Sequence, residues 1–249
     1  MKIINPEIKE KIVLALDVDN VEEAKKLIVE LKDYVGVFKV GLQLYTGCGE
    51  QIINFMNEQG AEYFFDVKLM DIPNTVKKAS ENIIRQGATF FNLHALGGYE
   101  MIKQACDAAK STAKEIGAKE PTVLAVTVLT SISTEVLNED LNIDKNANEF
   151  ALELATLAKK AGATGVVASV WEAKKIKELL GKEFKVLCPG IRPDWSSKDD
   201  QKRLATPARA IEEGADYLVI GRAVTSAENR REAMEKIYLE IENKMKEGK

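Results

Sequence analysis

Short, almost wholly apolar runs recur along this chain, and charged stretches with helical periodicity separate them. Eight runs stand out: Ile12–Leu16, Val37–Val40, Tyr63–Phe65, Phe90–Leu93, Val123–Leu129, Gly165–Ala168, Phe184–Leu187 and Tyr217–Ile220. Each is the length of a strand, and none alternates as a strand with one wet face would. Parallel strands covered by helices on both sides read this way. The intervening stretches carry helix signals. Asn20 is placed to cap a helix with Glu23 three residues on, and that helix runs toward Lys32.

The rhythm is regular. Gly60-Ala61, Gly87-Ala88, Gly162-Ala163 and Gly214-Ala215 each precede an apolar run, at separations of 27, 75 and 52 residues. These are close to one, three and two units of about 26 residues, the scale of a strand, a helix and two turns. Glycine ends a helix well because it tolerates positive φ. Eight such units fill residues 1–249 as one domain, and about 250 residues is the usual size of a barrel of this kind. An open doubly wound sheet shares the alternation, but the unit count favours an α/β fold with a single (β/α)8 TIM barrel. Two connections are long: Thr130 to Asn148 after the fifth run, and Pro189 to Pro207 after the seventh. In barrels the loops that follow the strands build the active site.

Composition narrows the functional classes. The net charge is -4 with no basic block, so nucleic acid is not expected as the main partner, because phosphate-backbone binding needs a clustered positive field. The start, Met1-Lys2-Ile3-Ile4-Asn5-Pro6-Glu7, has no apolar run long enough for a signal peptide. The charge-free stretch Pro121 to Thr134 is too short and too rich in threonine to span a bilayer, so no membrane partner is expected. Three cysteines, odd in number and widely spaced, point to a reducing, cytoplasmic compartment. With a single histidine, His94, His-rich metal sites and Ser-His-Asp triads are nearly excluded.

Charges interrupt the apolar runs at one end. The first run ends in Asp17, the second contains Lys39, and the third continues into Asp66-Val67-Lys68, followed at once by Asp71 and Pro73. Burying a charge is expensive unless it is paired. Asp66 and Lys68 are two apart on a strand, so both are expected to leave the same face and to meet Lys39 from the neighbouring strand. Pro73 fits the first turn of a helix. The eighth run leads into Gly221-Arg222, with Ala223 to Ser226 able to start a helical turn. Backbone N–H groups at such a turn bind phosphate, and barrels often hold phosphate after strands seven and eight. Arg222, with Pro189-Gly190-Ile191-Arg192 and Gln201, offers further donors. His94 ends the fourth run and either lines the site or is structural. Cys188 has no evident base partner and reads as packing.

Taken in order, Ala15-Leu16-Asp17, Lys39-Val40-Gly41, Asp66-Val67-Lys68-Leu69-Met70-Asp71-Ile72-Pro73-Asn74-Thr75, His94-Ala95, Val128-Leu129-Thr130-Ser131, Pro189-Gly190-Ile191-Arg192, Gln201 and Gly221-Arg222 resemble the bacterial type of the orotidine 5′-phosphate decarboxylase family, nearly end to end. Asp-x-Lys-x-x-Asp alone is shared with related barrels; the ordered set is specific. Met70 departs from the pattern, standing where many bacterial members have histidine. The resemblance implies decarboxylation of orotidine 5′-monophosphate to UMP and carbon dioxide, the last step of de novo UMP synthesis, with no cofactor and no metal. It implies Lys68 as the acid that protonates C6, Asp66 facing the substrate carboxylate, and Lys39 holding Asp66 and the ribose. Asp17 would bind a ribose hydroxyl and Thr130 the pyrimidine. Arg192, Gln201, Gly221 and Arg222 would hold the phosphate. Asp71, with Thr75 beside it, would come from the partner subunit of a homodimer.

Two other readings stand beside it. Metal-dependent sugar-phosphate decarboxylases and aldolases of the same superfamily carry Asp-x-Lys-x-x-Asp but place a Mg²⁺-binding glutamate on the second strand. Here that strand carries Lys39, which would repel the ion. A non-catalytic phosphate-ligand barrel would keep Gly221-Arg222 but has no need of Lys68 beside Asp66.

Overall fold

A computed structural model describes residues 4–196 and 204–247. Eight strands lie among them: β1 (Ile12–Ala15), β2 (Val37–Gly41), β3 (Tyr63–Leu69), β4 (Phe90–His94), β5 (Thr122–Val126), β6 (Gly165–Val167), β7 (Lys185–Ile191) and β8 (Tyr217–Ile220). They run in sequence order in one closed barrel. The last pairs with the first in parallel, Val13 opposite Val219. That pairing rules out the open sheet.

Local chemistry explains the units. The Asn20 side chain accepts the Glu23 N–H at 2.9 Å and starts the helix Val21–Leu31. Pro73 opens the helix Pro73–Arg85, where its missing N–H costs nothing. Glycines 60, 87, 162 and 214 have φ of 61°, 97°, 96° and 86°, the left-handed region that lets a helix stop and turn into the next strand. A short helix, Pro6–Lys11, precedes β1; no element was expected there.

Strand side chains alternate between the helices and the barrel interior. Val13, Ala15, Val37, Phe64, Phe90, Leu124, Leu187 and Val219 form one buried interior cluster. Advancing two residues along the first four strands gives Asp17, Lys39, Asp66 and Asn92. The interior is therefore apolar along most of its length and becomes polar at the C-terminal ends of β1 to β4.

The strand ends depart from the sequence reading in two places. Strand β5 stops at Val126, where Thr127 turns both its N–H and its hydroxyl onto the Val167 carbonyl, at 3.2 and 3.1 Å. The ladder between β3 and β4 slips: Phe65 lies opposite Phe91, but Leu69 lies opposite Leu93. Lys68 sits inside this slip with φ of 53°. The simple alternation argument therefore does not place it; the irregular backbone does. Beyond β7, Arg192 N–H donates to Ala205 O at 2.8 Å and Ala205 N–H to Gly190 O at 3.1 Å. These two bonds pin the base of the loop. No helix among the described residues is long and apolar enough to cross a membrane.

Candidate active site

The charges at the mouth of the barrel form an alternating chain. Lys39 Nζ lies 2.9 Å from Asp17 Oδ1 and 3.2 Å from Asp66 Oδ2, and Lys68 Nζ lies 2.7 Å from Asp66 Oδ1. Within one chain, then, Asp17 and not Asp71 is the second carboxylate of the set. Lys39 and Asp66 are each only 8% exposed, and burying either ion unpaired would cost on the order of several kcal/mol. Burial works against the Lys39 charge, but Asp66 and then Asp17 outweigh it and hold the ammonium above the ordinary lysine range. Gly41 makes room for the pair: a Cβ there would stand 2.8 Å from Lys39 Nζ and 3.3 Å from Asp17 Oδ1.

Asn92 completes the arrangement, and sequence reasoning passed it over. Fully buried, it accepts the Lys68 N–H at 2.7 Å and donates to Asp66 Oδ1 at 2.7 Å. Its signal was visible: a lone amide inside an apolar run, on the strand beside Asp66.

Two recesses meet at these charges. One, of about 150 Å³, has apolar walls that include Phe64, Val126, Val167, Leu187 and Val219, with Lys39, Asp66, Lys68 and Thr130 at its polar side. The other, of about 570 Å³, is lined by Asp17, Lys39, Asp66, Arg192, Gly221, Arg222 and also Gln43. Gln43 was not anticipated; its amide donates to Asp19 at 2.7 Å. Gly221 caps the one-turn helix Arg222–Thr225. The sizes suit a flat apolar ring beside a larger polar group. A bigger recess of about 720 Å³ opens at the opposite end, around Lys9, Glu62 and Tyr217, and holds none of the predicted site residues.

Asp71 and Thr75 are exposed and line neither recess. Asp71 accepts its neighbour's N–H, from Ile72, at 2.6 Å. Gln201 lies outside the described residues. His94 is half-buried, and its Nδ1 has no hydrogen-bond partner. Burial, then the nearby Lys68 charge, push the imidazole below its ordinary range. Cys188 is fully buried and its thiol is pushed up, chiefly by burial, which leaves it a packing residue.

Comparison with known proteins identifies the family. Residues 10–237 match the model of the family described as Orotidine 5'-phosphate decarboxylase / HUMPS. The chain is 45% identical over 235 residues to an orotidine 5'-phosphate decarboxylase of Syntrophomonas wolfei, covering 94% of this chain and 98% of the relative. It is 46% identical over 235 residues to that of Geotalea daltonii, covering 94% and 97%. The crystal structure of orotidine 5'-phosphate decarboxylase from Lactobacillus acidophilus superposes with a TM-score of 0.82 at 38% identity, over 92% of this chain and 98% of that one. On the match across most of its length, the chain belongs to the orotidine 5'-phosphate decarboxylase / HUMPS family.

Proposed function

We propose that this protein decarboxylates orotidine 5′-monophosphate to UMP and carbon dioxide in pyrimidine nucleotide synthesis. One observation carries the reading: a buried carboxylate, Asp66, is held between two ammonium groups, Lys39 and Lys68, beside an apolar recess. The pyrimidine would enter that recess with Thr130 at its edge. The phosphoribosyl group would occupy the larger one, with Asp17 and Lys39 on the ribose and Arg192, Gly221 and Arg222 on the phosphate. Gln201 is assigned to the phosphate on the family resemblance.

The chemistry follows from these charges. The C6–carboxylate bond breaks, carbon dioxide leaves, and the electron pair stays on C6. The Lys68 ammonium stabilises that pair and then gives C6 its proton. The neutral amine regains a proton from solvent. Asp66 facing the substrate carboxylate at ~4 Å contributes repulsion of ~4 kcal/mol at an effective dielectric of ~20. Its full relief is worth about three decades of rate, whereas enzymes supply about 8–23 kcal/mol in total. Repulsion alone is therefore not enough; the rest falls to carbanion stabilisation, with Lys68 as the charge placed for it, and to binding and orientation of the substrate. Lys39 occupies the strand where a magnesium-dependent relative needs an oxygen ligand, so the reaction needs no divalent ion.

The finer reading is a homodimer of single-domain barrels in the cytoplasm, with Asp71 and Thr75 reaching the partner's site. Exposed apolar residues directly after β2, β3 and β4 support the dimer: Leu42, Met70, Ile72, Leu96 and Tyr99. The unpaired cysteines Cys48, Cys106 and Cys188 suit a reducing compartment.

The test is the ultraviolet absorbance change on mixing with orotidine 5′-monophosphate, with and without EDTA. Conversion to UMP that ignores EDTA is expected. The Lys68→Ala protein should bind UMP but turn over slower by at least about four decades, the scale for losing both an acid and a charge stabiliser. Robust turnover by that variant would sink the assignment of Lys68.

A further inference from the structure

Asn92 lines neither recess and is fully buried, yet it holds two members of the charge set. Its amide orientation is fixed by chemistry, since the Lys68 N–H needs an acceptor and the Asp66 carboxylate a donor. Lys68 needs such a hold. Its backbone lies at φ of 53°, a left-handed conformation unfavourable for an L-residue with a Cβ, and the ladder to β4 is broken around it. The Asn92 side chain supplies a hydrogen bond within that break. On the other side, Asn92 shares Asp66 Oδ1 with the Lys68 ammonium, both at 2.7 Å. One amide thus ties the backbone of the lysine to the carboxylate that its own ammonium contacts.

We propose that Asn92 is a positioning residue for the decarboxylation: it fixes the Lys68 backbone and the Asp66 carboxylate against each other, so that proton donor and facing carboxylate act as one rigid unit. The proposal rests on the decarboxylase reading. It predicts a specific failure in Asn92→Asp. One oxygen of the new carboxyl still accepts the Lys68 N–H. The other meets Asp66 Oδ1 at hydrogen-bond distance, where two ionised carboxylates cannot sit without a shared proton. The charged groups around this pair are Lys39 from β2, Lys68 from β3 and, through Lys39, Asp17 after β1; His94 on β4 feels the Lys68 charge. The neighbour from β5 is the apolar Leu124. The shared proton imitates the wild-type amide donor; losing it sets two negative charges against each other and displaces Lys68.

The experiment measures kcat and KM for orotidine 5′-monophosphate from pH 5 to 9, for wild type, Asn92→Asp and Asn92→Ala, with UMP affinity by calorimetry. The ratio of Asn92→Asp to wild-type kcat should fall as pH rises, approaching about tenfold per unit above the pair's apparent pKa, with KM within about threefold. A ratio independent of pH would overturn the proposal. Asn92→Ala introduces no charge and decides the matter if the isosteric variant does not fold. Its kcat should drop about 100-fold while UMP affinity stays within about threefold. Turnover within twofold of wild type, or equal loss of kcat and UMP affinity, would count against positioning. Absence of turnover in the wild type would instead remove the decarboxylase reading itself.

Discussion

The backbone of Lys68 is the costliest conformation in the site. A lysine at φ of 53° is tolerated because Asn92 and Asp66 hold it from both ends. Two substitutions isolate that cost. Both Lys68→Gly and Lys68→Ala should lose turnover, but the glycine variant should be the more stable by about 1 kcal/mol in urea denaturation, since only glycine enters the left-handed region freely. Equal stabilities would mean the strain is negligible. His94 offers a second measurement, simplified because it is the only histidine. Burial and Lys68 lower its folded pKa below the ordinary 6.5. Its proton NMR signals should therefore show a neutral ring at pH 7 that titrates only below 6.5. The unfolded chain takes up that proton first, so His94 costs no stability above the unfolded pKa. Its cost grows as pH falls from there to the folded value. A ring that titrates above 6.5 would contradict this. Among single residues, the charged ones were readable because an ion in an apolar run is conspicuous. Asn92 was not singled out, because a neutral amide in a strand has many bland explanations until its two partners are seen.

At the scale of elements, glycine governs both where helices stop and how closely strands approach. The Gly-Ala rhythm marked four helix ends correctly, since each of those glycines is left-handed. Gly165 has a different role. It pairs with Lys185 across β6 and β7, and a Cβ there would lie 2.3 Å from Lys185 O and 2.7 Å from its Cβ. Gly165→Ala should thus cost about 1–3 kcal/mol, as overpacking typically does, and lower Tm by several degrees. Calorimetry showing an unchanged Tm would mean the wall shifts freely. Strand positions were legible from apolar runs, but the slip between β3 and β4 was not. Counting by twos presumes a regular ladder, and a bulge is set by tertiary contacts that leave no local mark.

At the scale of the whole molecule, the dimer proposed above makes each site depend on two chains. Asp71 and Thr75 stand exposed, with Asp71 between the exposed Met70 and Ile72, as a site shared between two chains would require. Mixing inactive Lys68→Ala with inactive Asp71→Ala subunits should restore up to about one quarter of wild-type activity per site, the statistical share of sites carrying both native residues when a dimer re-forms at random. No recovery after verified exchange would assign Asp71 to its own chain. The closed barrel was legible from the number of units, whereas the exposure of Leu42, Met70, Ile72, Leu96 and Tyr99 was not, because an apolar residue just past a strand reads the same in sequence whether it is covered or open. One last consequence lies in the barrel's interior, apolar through most of its length and polar at the mouth. Selection can act on the two portions nearly independently. Drift in the apolar layers is filtered by whether the chain folds, drift at the mouth by what the protein transforms. A lineage built this way can acquire a new reaction while inheriting its foundation unchanged.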